Sequence, residues 1–335
     1  MGYLTEMART AKKEEEIDMT REETIRVTIL IVLSGSIALF FGCIHENYHW
    51  HDVVTVEEYD VATDTVIVKA SMPEYSDGGS ATALSGQIYV IGGLLSSDEP
   101  PPKRVLKYDI ASDVWTQVAD IPTAPGEGVA VCGADGKIYA IGGTEYGISR
   151  NNPLAIVQEY DPMTDTWTQK ADMQYGRTNA PVAVVDDKIY VFGGSSLPNS
   201  VECYDPATDT WSLRADMPTG RGGAVAEVLN GKIYVIGGAV GNPTEEYDPV
   251  TDTWATRSGV PGDFPQWWFT RPPSIVTNSK IYVISYPGSP GVITVNEYDP
   301  VTDSWQQWQT TRLMWRRLFC YASANSELYI MGGVD

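Results

Sequence analysis

From residue 53 onward, the chain consists of short runs in which apolar and polar residues alternate, separated by turn sequences. Two phrases recur in step: an apolar run that ends in paired glycines, such as "IYVIGG" at Ile88 and Ile233, and a phrase such as "YDPMTDTW". A period of this length indicates an array of supersecondary units. Copies of the second phrase begin 43 to 52 residues apart, at Tyr59, Tyr108, Tyr160, Tyr204, Tyr247 and Tyr298.

Each unit predicts four short strands. An apolar run, a turn such as "LNG", the glycine-terminated run, a variable loop, the "EYDP" run and a tryptophan-led run follow one another. Four strands per repeat at this period predict a propeller blade. The Asp-Pro and Thr-Asp pairs are turn chemistry, because proline presets φ and the aspartate side chain binds nearby backbone amides. We therefore interpret the repeated residues as scaffold.

The combination of a double glycine after an apolar strand with Tyr-Asp and Trp at fixed offsets resembles the kelch-repeat family. The resemblance covers residues 53–335. It implies an all-β fold, a kelch β-propeller whose innermost strand precedes the "IYVIGG" run. It implies no single function, because kelch propellers include binding scaffolds and a few enzymes.

The order of the phrases predicts how the ring closes. The repeat begins with "VVTVEEYDVATDTVIV", the two outer strands of a blade, and finishes with "LFCYASANSELYIMGGVD", the two inner strands. Five complete blades and two complementary halves make a six-bladed propeller with a composite closing blade, which removes open sheet edges. In the first copy Val66 replaces tryptophan, which indicates looser packing on the outermost strand of the composite blade.

The region before the repeats has a different character. Residues 1–26 are strongly charged and predict a cytoplasmic or disordered tail. Residues 27–44, "VTILIVLSGSIALFFGCI", carry no charge, and at about 1.5 Å per residue they are just long enough for a bilayer core. The sequence therefore predicts one N-terminal transmembrane or signal helix, a linker at residues 45–52, and the propeller at residues 53–335.

Basic residues set the expected orientation. Arg21 and Arg26 precede the apolar segment, and no lysine or arginine follows until Lys69. Basic flanks stay cytoplasmic, so we expect a membrane-anchored propeller on the extracytoplasmic side. The lack of an unblocked Asn-x-Ser/Thr sequon favours a prokaryotic cell surface. Three fates of the segment stay open: a retained anchor, a secretory signal if Met19 is the start, and a lipoprotein signal in which "LFFGC" makes Cys43 the lipidated residue.

Charge and rare residues restrict the chemistry. The formal net charge is −21 and there is no basic stripe, which argues against a nucleic-acid partner. All three histidines, His45, His49 and His51, lie in the linker, so the ring lacks histidine-based acid–base or nucleophilic catalysis. This also counts against the copper site of galactose oxidase, an enzyme on a kelch propeller. With no cofactor motif present, we predict no cofactor and no metal.

Arginines recur shortly before the innermost strands. The connection from an outermost strand to the next innermost strand crosses one face of a propeller, so these arginines are expected around one mouth of the central channel. Two interpretations stay open: guanidiniums that bind an anionic ligand, and braces that bond loop carbonyls between blades. Four consecutive blades carry them, at Arg177, Arg221, Arg271, and Arg316 with Arg317.

Two connections on that face depart from the repeat. "VPGDFPQWWFTRPP" carries Trp267 and Trp268 beside Arg271, and "TTRLMWRR" carries Trp315 beside Arg316. Departures from a regular repeat are where function concentrates. Aromatic faces beside arginines suit an anionic glycan or an acidic peptide or protein ligand, whereas aromatic residues that pack only on one another would bind nothing.

The sequence thus favours a binding protein over an enzyme. We predict a membrane-tethered, extracytoplasmic recognition or adhesion module that binds protein or glycan through this arginine- and tryptophan-rich channel mouth. The alternative is a metal-independent carbohydrate-active enzyme that resembles the kelch-type sialic acid mutarotase. No catalytic residue of that enzyme can be placed on this sequence.

Overall fold

The chain divides into two units, Met1–His49 and Trp50–Asp335, in a computed structural model. The described residues are 30–33, 36–39, 54–74, 79–92, 102–124, 130–144, 152–194, 198–262, 272–285, 293–314 and 319–332.

In the first unit, the described residues form two short strands, β1 (Leu30–Leu33) and β2 (Ser36–Leu39), which pair antiparallel. The rest of the predicted transmembrane or signal helix at residues 27–44 lies outside the described residues, and that helix stays a prediction. Within the described part of the chain, no helix has the length and apolar character needed to cross a membrane.

The second unit consists of six four-stranded antiparallel sheets, which are the blades of a propeller. We name the strands of each blade A to D from the inside outward. Blade 1 contains β5 (Ser80–Leu84), β6 (Gln87–Ile91), β7 (Val105–Asp109) and β8 (Val114–Val118). Blade 2 contains β9 (Ala130–Ala134), β10 (Lys137–Ile141), β11 (Val157–Asp161) and β12 (Thr166–Gln169). Blade 3 contains β13 (Val182–Val185), β14 (Lys188–Phe192), β15 (Val201–Asp205) and β16 (Thr210–Arg214).

The remaining blades follow the same plan. Blade 4 contains β17 (Val225–Leu229), β18 (Lys232–Ile236), β19 (Thr244–Asp248) and β20 (Thr253–Arg257). Blade 5 contains β21 (Ser274–Thr277), β22 (Lys280–Ser285), β23 (Ile293–Asp299) and β24 (Ser304–Thr310). Blade 6 contains β25 (Cys320–Ala324), β26 (Glu327–Met331), β3 (Val56–Asp60) and β4 (Thr65–Lys69).

Blade 6 is the composite blade that the order of the phrases predicts. Its strands A and B come from the C-terminal part of the chain, and its strands C and D come from the N-terminal part of the repeat. The junction is a regular antiparallel ladder in which Met331 pairs with Val56 and Leu328 pairs with Tyr59. The all-β, six-bladed prediction and the predicted closure are confirmed.

The strand order gives the ring two different faces. The A strands contact one another from blade to blade, and β21 contacts β26 where blade 5 meets blade 6, so the A strands enclose a central channel. Since neighbouring strands run antiparallel, the A–B and C–D turns lie on one face, which we call the turn face. The B–C loops and the D–A loops that lead into the next blade lie on the other, which we call the loop face.

The short turns on the turn face follow from residues that tolerate a left-handed backbone. The A–B turn of blade 4 places Asn230 at φ 53° and Gly231 at φ 73°, the pattern of a two-residue hairpin. The second aspartate of each repeated phrase also takes a left-handed conformation, as at Asp209 with φ 52°. Asparagine, aspartate and glycine adopt this region at low cost, so the composition of the phrase sets the turn.

Candidate functional site

The repeated Tyr-Asp…Asp…Trp phrase joins neighbouring blades. In blade 3, the carboxylate of Asp209 accepts hydrogen bonds from the hydroxyl of Tyr204 (2.7 Å) and from the backbone amide of Ala171 in blade 2 (2.9 Å). The indole of Trp211 donates to the carbonyl of the same Ala171 at 2.8 Å. These hydrogen bonds from Tyr204 and Ala171 lower the pKa of Asp209. The same bonds recur in the other tryptophan-bearing blades at Asp113, Asp165, Asp252 and Asp303.

The interface between blades 5 and 6 is built differently, because Val66 stands where the other blades carry this tryptophan. The preceding strand β24 supplies an aromatic side chain instead. Trp308 and Val66 both pack against the buried cluster that contains Tyr59 and Ile284. The interface that has no tryptophan at position 66 thus has a tryptophan on its blade 5 side, at Trp308.

Arg177 braces the loop face between blades 2 and 3. Its side chain is almost wholly buried, with 1% exposure, and forms an ion pair with Glu202 at 2.8 Å. The guanidinium also donates to the carbonyl oxygens of Gly193 (2.5 Å) and Ser200 (3.1 Å). The other oxygen of the Glu202 carboxylate accepts the backbone amide of Gln174 at 2.8 Å. The side chain thus anchors its D–A loop within blade 3.

Arg221 repeats this arrangement in blade 4. It is fully buried, its guanidinium lies 2.7 Å from the Glu245 carboxylate, and it donates to the carbonyl oxygens of Gly237 (3.1 Å) and Pro243 (2.9 Å). Burial lowers the pKa of Arg221, and the charge of Glu245 opposes that effect. Neither Arg177 nor Arg221 presents its charge to solvent, so the geometry favours the bracing interpretation over ligand binding for these two arginines.

The double glycines make room for these arginine-bearing loops. A Cβ atom on Gly142 would lie 2.3 Å from the carbonyl oxygen of Arg177, and one on Gly193 would lie 2.2 Å from that of Arg221. The backbone amide of Gly194 donates to the Arg221 carbonyl at 3.0 Å. The glycine pair of one blade therefore receives the D–A loop that leads into the next blade, which explains its recurrence.

Blade 5 carries no glutamate at the strand C position that supplies the partner of the bracing arginines in blades 3 and 4. Its strand C carries Asn296 at the position held by Glu202 and Glu245 in blades 3 and 4. The side-chain amide of Asn296 donates to the carbonyl of Val283 and to the hydroxyl of Ser285, both at 2.9 Å. Asn296 thus donates to a strand B carbonyl oxygen in blade 5, as the arginine guanidiniums donate to backbone carbonyl oxygens in blades 3 and 4.

The spacing of Arg271 in the sequence also differs from that of the two braces. Arg177 and Arg221 each precede by six residues the strand A residue that pairs with the tyrosine of strand B, whereas Arg271 precedes it by four. Arg271 itself lies outside the described residues, and so do the other predicted site positions: Arg316, Arg317, Trp267, Trp268, Trp315 and Cys43.

The central channel contains a carboxylate that the sequence analysis missed. The cavity has a volume of about 490 Å³ and is lined by strand A of every blade. Glu227, on β17, lies among the lining residues beside Ser274 of β21. Burial raises the pKa of Glu227 to about 7, and a hydrogen bond from Ser274 opposes this rise. The sequence did contain a signal for this carboxylate. Glu227 is an acidic residue within strand A of its blade, and strand A of the other five blades carries no acidic residue.

Comparison with known proteins agrees with the geometry. The family model of the Kelch motif matches residues 78–122, 125–174 and 176–218. Kelch-like protein 23 of Homo sapiens is 33% identical over 149 residues, which is 44% of this chain and 26% of that protein. Kelch-like protein terF of Aspergillus terreus is 38% identical over 135 residues, 38% of this chain and 29% of that protein.

A solved structure, described as the structure of YjhT, superposes with a TM-score of 0.62 at 16% identity and covers 79% of this chain and 94% of its own. This likeness concerns the fold alone. The chain spans about a quarter of the length of the curated relatives named above. The motif matches and the relatives support a kelch-repeat family for this chain, and its described repeats form a six-bladed β-propeller.

Proposed function

We propose that this propeller is an interaction module that binds a protein or glycan ligand at the loop face, on the side of blades 5 and 6. Kelch domains bind protein partners in general, and the matched relatives carry the same motif. The long, variable B–C and D–A connections lie on the loop face, whereas the turn face carries the short repeated turns. Binding residues concentrate on such connections when a rigid scaffold positions them.

The loss of the bracing pair in blade 5 carries this proposal. In blades 3 and 4 a buried glutamate neutralises the loop-face arginine, as Glu202 does for Arg177. In blade 5, Asn296 occupies the glutamate position and Arg271 is displaced by two residues from the bracing position. We expect the Arg271 guanidinium, which has no glutamate at this strand C position to bind, to be available to an external anion, and Trp267 and Trp268 precede it closely in the sequence.

An acidic peptide or an anionic glycan fits this residue set. Arginine recognises carboxylates in a bidentate manner, and tryptophan stacks on sugar rings or on peptide side chains. The protein carries a formal charge of −21, which repels anions at long range, so a local cluster has to hold the ligand. Arg317 and Trp315, which lead into blade 6, belong to the same proposed surface. Arg316 is left out of it, because Arg316 stands six residues before Ala322, which is the bracing spacing, and blade 6 carries Glu57 at the glutamate position.

We further propose that the module is tethered to a membrane through residues 27–44 and faces the extracytoplasmic side. The support is the uncharged stretch itself and the basic residues that precede it. Protease added to intact cells is expected to digest the propeller, and protection of the propeller would overturn this orientation. Membrane retention of Cys43→Ser separates the two anchors: unchanged retention excludes lipidation, and lost retention supports it.

Ligand binding is tested with the full chain against a panel of acidic and neutral peptides and glycans. Arg271→Ala is expected to weaken anion binding about tenfold or more, the effect of one lost charge-assisted contact, and Trp268→Ala is expected to weaken binding through the loss of stacking. Arg257→Ala is the matched control, because Arg257 lies on an outermost strand and pairs with Glu246. Equal binding by all variants would refute the proposed surface, and turnover of free acidic sugars would favour the enzyme alternative.

A further inference from the structure

Glu227 departs from the repeat at a position that can be compared across all six blades. It is the strand A residue that pairs with Tyr234 of strand B. The residue that pairs with the equivalent tyrosine is uncharged in every other blade, so the carboxylate is not part of the repeated scaffold. These counterparts are Thr82, Cys132, Ala183, Ile275 and Ala322.

No residue of opposite charge faces Glu227 among the described residues that line the channel. Among the described residues that line the channel, Glu227 is the one charged side chain. The flanking strands β13 and β21 contribute aliphatic residues and Ser274 to the lining. The other titratable groups of the described lining, the thiols of Cys132 and Cys320 and the phenol of Tyr321, come from β9 and β25. Ser274 donates a hydrogen bond to this carboxylate, but no cationic side chain of the described lining pairs with it, as a buried charge normally requires.

The channel has the dimensions of a small-molecule site. Its volume of about 490 Å³ lies within the range of roughly 300–1,000 Å³ found for such sites. Its wall combines small aliphatic side chains with polar groups, among them the hydroxyls of Thr82, Ser274 and Ser323. Glu227 is partly open to the channel while protein surrounds it, and this enclosure is why its pKa rises to about 7.

We propose that the central channel binds a small organic cation through a primary ammonium group, with Glu227 as the counter-charge. An ammonium group brings three hydrogen-bond donors, which suit a carboxylate and neighbouring hydroxyl oxygens. A metal ion is disfavoured, because the described residues contain no group of three or more histidine, cysteine, aspartate or glutamate side chains that could hold one. The negative field of the protein raises the local concentration of cations.

Binding at this site is linked to the protonation of Glu227. An alkylammonium stays charged up to about pH 10, as lysine does. The carboxyl group, with a pKa of about 7, is mostly neutral at pH 6 and mostly ionised at pH 8. If only the ionised form binds the ammonium, the apparent affinity follows the ionised fraction and rises about tenfold between these two values.

The probe is n-butylammonium chloride, titrated into the full-length protein and observed by calorimetry or ligand-observed NMR. We expect saturable binding at pH 8, a loss of about tenfold at pH 6, and weaker binding of neutral n-butanol. Glu227→Gln, which keeps the shape and removes the charge, is expected to weaken binding tenfold or more. The matched control is Asp187→Asn, an exposed turn residue at φ 58° that loses the same charge outside the channel lining.

Several outcomes would overturn the proposal. They are equal binding of butylammonium and butanol, equal affinity at pH 6 and pH 8, an effect of Asp187→Asn as large as that of Glu227→Gln, and saturable binding of calcium in place of the amine. If Glu227→Gln does not fold, the comparison of the two ligands and the two pH values on the unmodified protein decides the question.

Discussion

The guanidinium of Arg221 lies 2.7 Å from the carboxylate of Glu245, and neither side chain is more than 1% exposed. The two residues belong to different parts of blade 4: Arg221 lies on the loop that leads into the blade, and Glu245 lies on strand C. A buried pair of this kind fixes the loop to the sheet. Because each charge depends on the other, removal of one leaves the other buried and uncompensated.

Arg221→Met should therefore destabilise the propeller strongly, by about 3–5 kcal/mol in the free energy of unfolding. Urea denaturation followed by tryptophan fluorescence measures this change. The double variant Arg221→Met with Glu245→Leu removes both charges and should recover most of the loss. A single variant that unfolds at the same urea concentration as the unmodified protein would show that Arg221 is not a brace.

The sequence predicted the fold almost completely, because each blade repeats the same local signals and the half-blades at either end can be read from their order. The role of the arginines could not be read in this way. Whether Arg177 is a brace or a ligand contact depends on Glu202, a residue on another strand whose proximity follows only from the blade register. The raised pKa of Glu227 likewise depends on enclosure by six strands that no local pattern describes. Positions such as Arg271 lie outside the described residues, and their role stays a prediction.

The tryptophan of the repeated phrase contributes a hydrogen bond between blades as well as apolar contact. Trp211 stacks near Tyr204, with ring centroids 4.9 Å apart, and donates its indole N–H to Ala171. Trp211→Phe keeps an aromatic ring and removes the donor, so we expect a loss of about 1 kcal/mol in the free energy of unfolding. The measurement is the urea midpoint. A midpoint that does not shift would mean that water replaces the indole without cost.

Val66→Trp restores the repeat consensus and should nevertheless destabilise the protein. Trp308 already packs in the cluster that Val66 contacts, so a second indole would overpack the interface and cost about 1–3 kcal/mol. The thermal midpoint is the measurement, and adding Trp308→Val to Val66→Trp should recover part of the loss. If Val66→Trp alone raises the midpoint, the interface has free space and Trp308 does not replace the missing tryptophan.

Closure of the ring depends on strands C and D of blade 6. Deletion of residues 53–71 removes β3 and β4 and exposes the edge of β26, whose backbone groups pair with β3 in the intact ring. An unpaired strand of this kind promotes association between chains. We expect aggregation or unfolding, measured by size-exclusion chromatography and circular dichroism. A shortened protein that stays monomeric and unfolds as cooperatively as the full chain would contradict a structural role for the closure.

Blade 6 also differs from the other blades in the charge at the start of strand B. In four blades a lysine at this position forms an ion pair with an acidic residue of strand C, as Lys137 does with Glu159 at 2.9 Å. The other three pairs are Lys188 with Asp205, Lys232 with Asp248, and Lys280 with Glu297. Blade 6 carries Glu327 instead, next to Leu328, which pairs with Tyr59. Burial raises the pKa of Glu327, and so do the charges of Asp60 and Glu58.

Glu327→Lys should therefore stabilise the closing blade, because it replaces repulsion from Asp60 with the attraction found in the other blades. We expect a gain of about 0.5–1 kcal/mol at pH 8, since solvent screens a partly exposed pair. The gain should shrink as the pH falls. A folded-state pKa above the unfolded value means that the folded protein binds the proton more tightly, so Glu327 destabilises the protein increasingly as pH rises from the ordinary glutamate pKa to the raised one. Asp60, whose pKa is lowered by its hydrogen bond with Thr63, stays charged across this window.

Urea midpoints of the unmodified protein and of Glu327→Lys, taken at pH 4 and pH 8, measure the effect. Asp216→Lys is the control, because it makes the same change in net charge at an exposed position. An equal gain in Asp216→Lys would attribute the effect to net charge and not to the closing blade.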